Sequence, residues 1–302
     1  MNMSRNEKTL IRDNISKRNL KNKLLQVSVI ILSSITIIPI IFIIYKIVVN
    51  GIGQINLDFF VQPSPDSLQA MTALANNETI PGGIANGITG TFLIVIVAAL
   101  MAIPVGIMIG IFLYENQTSR YSGLIRNISE VLQGIPSIVL GIIAYLWIVR
   151  NITNGFSAFS GSVALSIMML PMIIMSTEET MKMIPNEIRE AAFAMGVPYH
   201  KVIIRVLLPS SISGLSTGVL LSVSRIAGET APLMMTALGS SLINYNITKP
   251  TSAVPLLIWE FYNDPNMVKL VWSSSLFLMI FVLSLNIISG RLARKNKTRR
   301  RK

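Results

Sequence analysis

Arg225 and Glu229 are the residues whose type and spacing most demand a chemical explanation. They sit in SVSRIAGETAPL (residues 222–233), with VLLPSSISGLSTGVLL before it and MMTALG after it. A charge at the centre of a membrane helix costs roughly 2.5 to 3.5 kcal/mol on insertion scales, so such residues face a bundle interior and have partners. Their spacing of four puts them on one helix face, where they can pair with each other. Pairing alone is one reading, although an apolar pair would cost less than a buried ion pair kept only for packing. On the other reading, the guanidinium offers a permanently charged planar fork that matches a tetrahedral oxyanion, and Glu229 holds it while the site is empty. Gly228 and Pro232 loosen the helix here, so freed backbone N–H groups could also meet an anion. Thr230 and Ser224 are further donors by type, though small hydroxyls in membrane helices serve close packing as well.

Other chemistry is thinly represented. The chain has no cysteine and one histidine, His200, which excludes thiolate chemistry and a histidine metal cluster. Metal, haem and catalytic roles are therefore not expected. Glu178 and Glu179 are adjacent carboxylates near the end of an apolar run, expected to be solvated or paired with nearby basic residues. No G-x-x-x-x-G-K-[ST] stretch occurs, so the chain lacks the phosphate-cradling loop of a nucleotide hydrolase.

The elements that position these residues are membrane helices. Of 302 residues 51% are apolar and 13% charged, with a mean hydropathy of +0.60, values outside the soluble globular range. The net charge of +12 lies in blocks beside apolar runs rather than among aromatics, which favours a membrane surface over nucleic acid. A bilayer core about 30 Å thick needs about 20 apolar residues. Six such runs are present, near 24–49, 88–114, 128–149, 156–175, 207–238 and 268–288. In the second, Pro104, Gly106 and Gly110 would bend the helix or admit a close neighbour. The first run is too long for a signal core and lacks a cleavage site, so it reads as a retained anchor. The fold class expected is an all-α integral membrane protein of six transmembrane helices. Both ends are strongly basic, so both belong in the cytoplasm, and an even span count agrees. Residues 51–87 carry Asp58, Asp66 and Glu78 but no Lys or Arg, as an outside loop should. That outside stretch reads as a long loop with turn residues and no evident chemistry. Expected boundaries are a basic segment 1–23, the first helix 24–49, an outer loop 50–84, a core 85–289 and a basic tail 290–302.

The inside segment STEETMKMIPNEIREAAFAMGVPYHKVIIRVLLP (176–209) is too regular to be a loop. Pro185 suits the start of one helix, Gly196 a left-handed end, and Pro198 the start of another. Ile188, Ala191, Ala192 and Met195 then form one apolar face. An amphipathic helix lying on the bilayer is the alternative reading.

The spacing of EAAFAMGVPYHKVIIRVLLP resembles the cytoplasmic loop of importer-type ABC transporter permeases. Their pattern is Glu-Ala-Ala, three residues, Gly, nine residues, Ile, one residue, Leu-Pro. Glu190, Ala191, Ala192, Gly196, Leu208 and Pro209 match it, and Val206 replaces the Ile. The resemblance implies a type I importer (MetI-like) permease fold, with 185–209 as a coupling loop seated in a cleft of a separate ATPase. By resemblance Glu190, Ala191 and Ala192 meet or orient that contact and Gly196 makes the turn. RIAGETAPL, GGIANGITGTFL (82–93), IPVGIMIGIFLYEN (103–116) and EVLQGIPSIVLGI (130–142) resemble the phosphate-specific subfamily. That implies a bacterial cell-membrane importer whose path includes Arg225, Gly228, Glu229 and Thr230. The implied partners are a second, unlike permease, two ATP-binding subunits that use ATP and Mg, and an extracytoplasmic phosphate-binding protein. No cofactor is implied on this chain. Another oxyanion (molybdate, tungstate or sulfate) and an ATPase-independent channel or sensor are the competing readings.

Overall fold

The computed structural model describes residues 5–299, with side chains described for most of 18–291. The described residues up to Asn50 form one unit and those from Gly51 another. Helix α1 (Arg5–Gly51) accounts for the first, and it includes Pro39. Its run from Leu24 to Val49 is apolar all round, as a lipid-embedded span requires.

In the second unit the outer segment is partly ordered rather than the plain loop expected. Helices α2 (Leu57–Val61) and α3 (Ser67–Ala75) form because each has a capping side chain in front. Asn56 accepts from the Phe59 N–H, and Asp66 with Gln69 makes a reciprocal capping box. Their apolar residues Phe59 and Ala70, with Ile80 of the segment that follows, pack on Ile84, Val254, Leu257 and Phe261. The helical signal was missed because each run is too short for a period to show.

The membrane helices follow. They are α4 (Ala85–Glu115), the bent pair α5 (Arg120–Gly134) and α6 (Ser137–Ala144), α7 (Ala158–Lys182), α10 (Leu208–Ile226) and α13 (Val268–Arg299). Between α7 and α10 lie α8 (Asn186–Ala194) and α9 (Tyr199–Val202); between α10 and α13 lie α11 (Ala231–Thr236) and α12 (Val254–Tyr262). Among the described residues five helical stretches are long and apolar enough to cross a bilayer, and the α5–α6 pair, counted as one broken span, makes a sixth. That pair turns by 103°. Pro136 has no N–H to give, and its ring disfavours helical geometry at Ile135, so α5 stops at Gly134 and α6 begins at Ser137.

The centre of the unit is α7. In its most apolar window 61% of residues are buried, against 22% for α4 and 28% for the span containing α10. Two small-residue grooves permit this. A Cβ on Gly106 would lie 2.7 Å from Ile173 Cγ2 and one on Gly110 2.5 Å from Thr177 Cβ, so α4 meets α7 backbone to backbone. On the other side Gly214 and Gly218 of α10 lie against Thr180 and Ser176. Each pair is spaced G-x-x-x-G. Buried Ile94, Ala98, Ala102, Leu165, Met169, Ile173, Ile226 and Leu233 fill the space between these helices.

The fifth span differs from expectation. Its helix ends at Ile226 instead of running to residue 238. A helix continued through Pro232 would leave the Gly228 carbonyl without its donor and drive the proline ring against it. The chain instead turns through Gly228 and Glu229 and restarts as α11. The start of the span is also irregular. Residues 203–207 are π-helical, which absorbs the N–H missing at Pro209 and makes α9 and α10 nearly continuous.

Candidate functional site

Arg225 occupies the last turn of α10, with Glu229 in the turn beyond it. Arg225 Nε and Glu229 Oε1 are 4.0 Å apart, so the two charges attract without sharing a short hydrogen bond. The pair is therefore made across a helix end and not along one helix face. The Arg225 Nη1 donates to the Met172 thioether at 3.5 Å, and the side chain is 51% exposed. A guanidinium has five N–H donors, and a thioether is a weak acceptor. Most of this donor capacity is unused. Met172 lies ten residues before Lys182, the end of α7, so it stands about 15 Å from that end, near the middle of the helix.

The other expected residues of this site divide in two. Gly228 is exposed beside Arg225, and Thr230 precedes α11 with its hydroxyl capping nothing. Ser224, by contrast, is buried and its hydroxyl donates to the Leu220 carbonyl of its own helix. Gln133 was not expected here. Its amide donates to the Met175 thioether at 2.8 Å, one helical turn from Met172, so Arg225 and Gln133 approach the same face of α7. Gln133 sits one residue before the end of α5 and is exposed. The EVLQGIPSIVLGI stretch contained it, but nothing in a lone Gln distinguishes a lining residue from a boundary one. Close docking of α11 on α6 completes this wall, where a Cβ on Gly141 would come within 2.7 Å of Pro232 Cα.

At one end of the unit lies the helix–turn–helix of 185–209. Pro185 precedes α8, Gly196 has φ +73, and Pro198 precedes α9, as their types require. The apolar face expected over four residues is split. Ala192 is buried against Tyr114, Met181, Ile184, Val202 and Leu207, whereas Ile188, Ala191 and Met195 are exposed together with Glu187 and Glu190. Thus one edge of α8 docks inward and the other is open.

Two ion-pair networks brace this end. Glu178, expected to be solvated or to pair with the loop, is 6% exposed and takes Arg126 of α5 at 2.7 Å and Lys182 at 2.6 Å. Glu179 is exposed. Glu115, at the end of α4, receives Arg189 of α8 at 3.1 Å and the Tyr199 hydroxyl. Nothing local in the sequence marks Glu115, since its partners lie more than seventy residues away. Among the described residues no group of three or more His, Asp or Glu side chains converges as a metal site would.

This central helix with small-residue grooves, a helix–turn–helix at one end and a half-free arginine against its middle belongs to a permease subunit. Residues 102–302 match the family model described as the binding-protein-dependent transport system inner membrane component, and the chain belongs to that family. Among solved structures it is similar to the MetNI methionine ABC transporter in inward-facing conformation, at a TM-score of 0.56 and 20% identity, over 70% of this chain and 94% of that one. That likeness concerns the fold. Three particular relatives share one name. The phosphate transport system permease protein PstA of Xylella fastidiosa (strain 9a5c) is 36% identical over 251 residues, 82% of this chain and 84% of its own. PstA of Yersinia pestis is 33% identical over 97% of this chain and 98% of its own. PstA 1 of Mycobacterium tuberculosis (strain H37Rv) is 37% identical over 74% of each.

Proposed function

We propose that this multi-pass inner membrane chain is a permease subunit of an ATP-driven phosphate importer, of the PstA kind. Its relatives carry that name over most of their length, and the fold is that of ABC importer permeases. The finer reading concerns the path. Arg225, with Glu229, Gly228 and Thr230, is the transient phosphate contact in this subunit's half of the translocation route. The carrying observation is the guanidinium against the middle of α7 whose contacts are a thioether and a carboxylate 4.0 Å away. Such a group has donors to offer an oxyanion, and a low-dielectric setting strengthens the contact. The loose Glu229 partner makes the exchange cheap, so the anion is passed on rather than held.

The loop 185–209 is the coupling element. Glu190, Ala191 and the turn at Gly196 present the open edge to a separate ATP-binding subunit, while Ala192 anchors the inner edge. Two such subunits, using ATP and Mg, a second unlike permease and an extracytoplasmic phosphate-binding protein complete the transporter. Basic termini and the basic segment around this loop support a cytoplasmic position for all three.

Selectivity tests this reading. Vesicles carrying the assembled transporter, supplied with ATP and binding protein, should accumulate labelled phosphate and neither labelled sulfate nor molybdate. Accumulation of sulfate or molybdate in place of phosphate overturns it.

A further inference from the structure

We propose that Glu115 is the positioning residue that carries movement of the α8–α9 loop into the membrane helices. This rests on the reading of that loop as the ATPase contact. Glu115 is the last residue of α4, where the helix macrodipole disfavours a negative charge. Its side chain is only 6% exposed, and Oε1 is buried with no hydrogen-bond partner. For packing alone an apolar residue would do better, because burial of a carboxylate is costly. What the carboxylate gains is a grip on both arms of the loop. Its Oε2 accepts from Arg189 of α8 and from the hydroxyl of Tyr199 of α9, one donor on each side of the Gly196 turn.

The two donors are braced as a unit. Arg189 lies 5.8 Å over the Phe193 ring, and Phe193 stacks on Tyr199 with centroids 6.3 Å apart and planes 5° from parallel. On the far side the linkage continues into the bundle. Arg126 of α5 donates to the Leu113 carbonyl of α4 at 3.3 Å and to Glu178 of α7. Two of these helices, α5 and α7, carry Gln133, Met172 and Met175. Without Glu115 a displaced loop retains its covalent continuation into α7 and α10, but it loses its polar hold on α4 and, through Arg126, on α5. With it, α8 and α9 pull on both walls of the path.

The test uses the complete transporter in proteoliposomes and reads phosphate moved per ATP hydrolysed. Glu115→Gln keeps the shape and removes the charge; it should assemble and hydrolyse ATP but lower that ratio about tenfold, the scale of a lost charged hydrogen bond. Arg189→Gln should also lower it, and the double variant should fall no further than Glu115→Gln alone, because the Arg189 contact is already lost there. An unchanged ratio in Glu115→Gln, or a double variant whose loss is the product of the two, overturns the proposal. Should Glu115→Gln fail to assemble, Tyr199→Phe carries the same test through an exposed residue; a lowered ratio supports the tether and an unchanged one overturns it. Gly196→Val separates the underlying reading. If it uncouples while Glu115→Gln does not, the tether alone is wrong; if it leaves coupling intact, the loop's role as ATPase contact is wrong as well.

Discussion

At the scale of single residues, function turns on donors left unused and on backbone angles that few residues accept. Arg225→Lys keeps a positive charge but replaces the planar fork with a point charge, so phosphate transport by the assembled complex should fall about tenfold rather than vanish. Uptake kinetics measure this. At Gly196, φ is +73 and an added Cβ would touch nothing within 4 Å, so conformation alone sets tolerance. Transport should therefore rank Gly196→Asn above Gly196→Ala, and Gly196→Val last, with Val costing about 1–2 kcal/mol or more in the loop. Both residues were legible in the sequence, one as a charge in an apolar run and one as a glycine between two prolines. Gln133 and Glu115 were not. Their meaning lies in contacts 42 and 74 residues away in the chain, at Met175 and Arg189, and no local pattern encodes such distances.

At the scale of helices, α7 is gripped by glycine grooves on two sides, and this makes the grooves sensitive. Gly110→Leu would drive a side chain into Thr177 and the Ile174 carbonyl, an overpacking loss of about 3 kcal/mol, visible as a lower melting temperature in detergent. At the end of the bundle Glu178→Ala would leave Arg126 and Lys182 without their carboxylate. Both cations are partly exposed, so the loss should be about 2 kcal/mol rather than the larger figure for a sealed pair. The existence of the long helices could be read directly from apolar length. Their breaks were harder. Apolar character continues across Gly134 and across Gly228, so a hydropathy window sees one helix where proline chemistry makes two. Capped short helices such as α2 and α3 also fall below any periodicity window.

At the scale of the whole molecule, the fold places a half-free guanidinium against the middle of α7 and a partly open helix–turn–helix at one end. The orientation has its own check, since the natural chain has no cysteine. A cysteine at Asn246 should react with an impermeant maleimide in intact cells, and one at Met183 only after permeabilisation; the reverse pattern would invert the topology. The proposed path depends on the anion meeting Arg225. The most direct measurement is ATP-driven accumulation of labelled phosphate by vesicles containing the complete transporter with Arg225→Gln, with subunit co-purification and ATP hydrolysis followed in parallel. Loss of one charged fork predicts a drop of about 10- to 100-fold in phosphate uptake with the complex still assembled. Uptake at the unaltered rate would contradict the role given to Arg225.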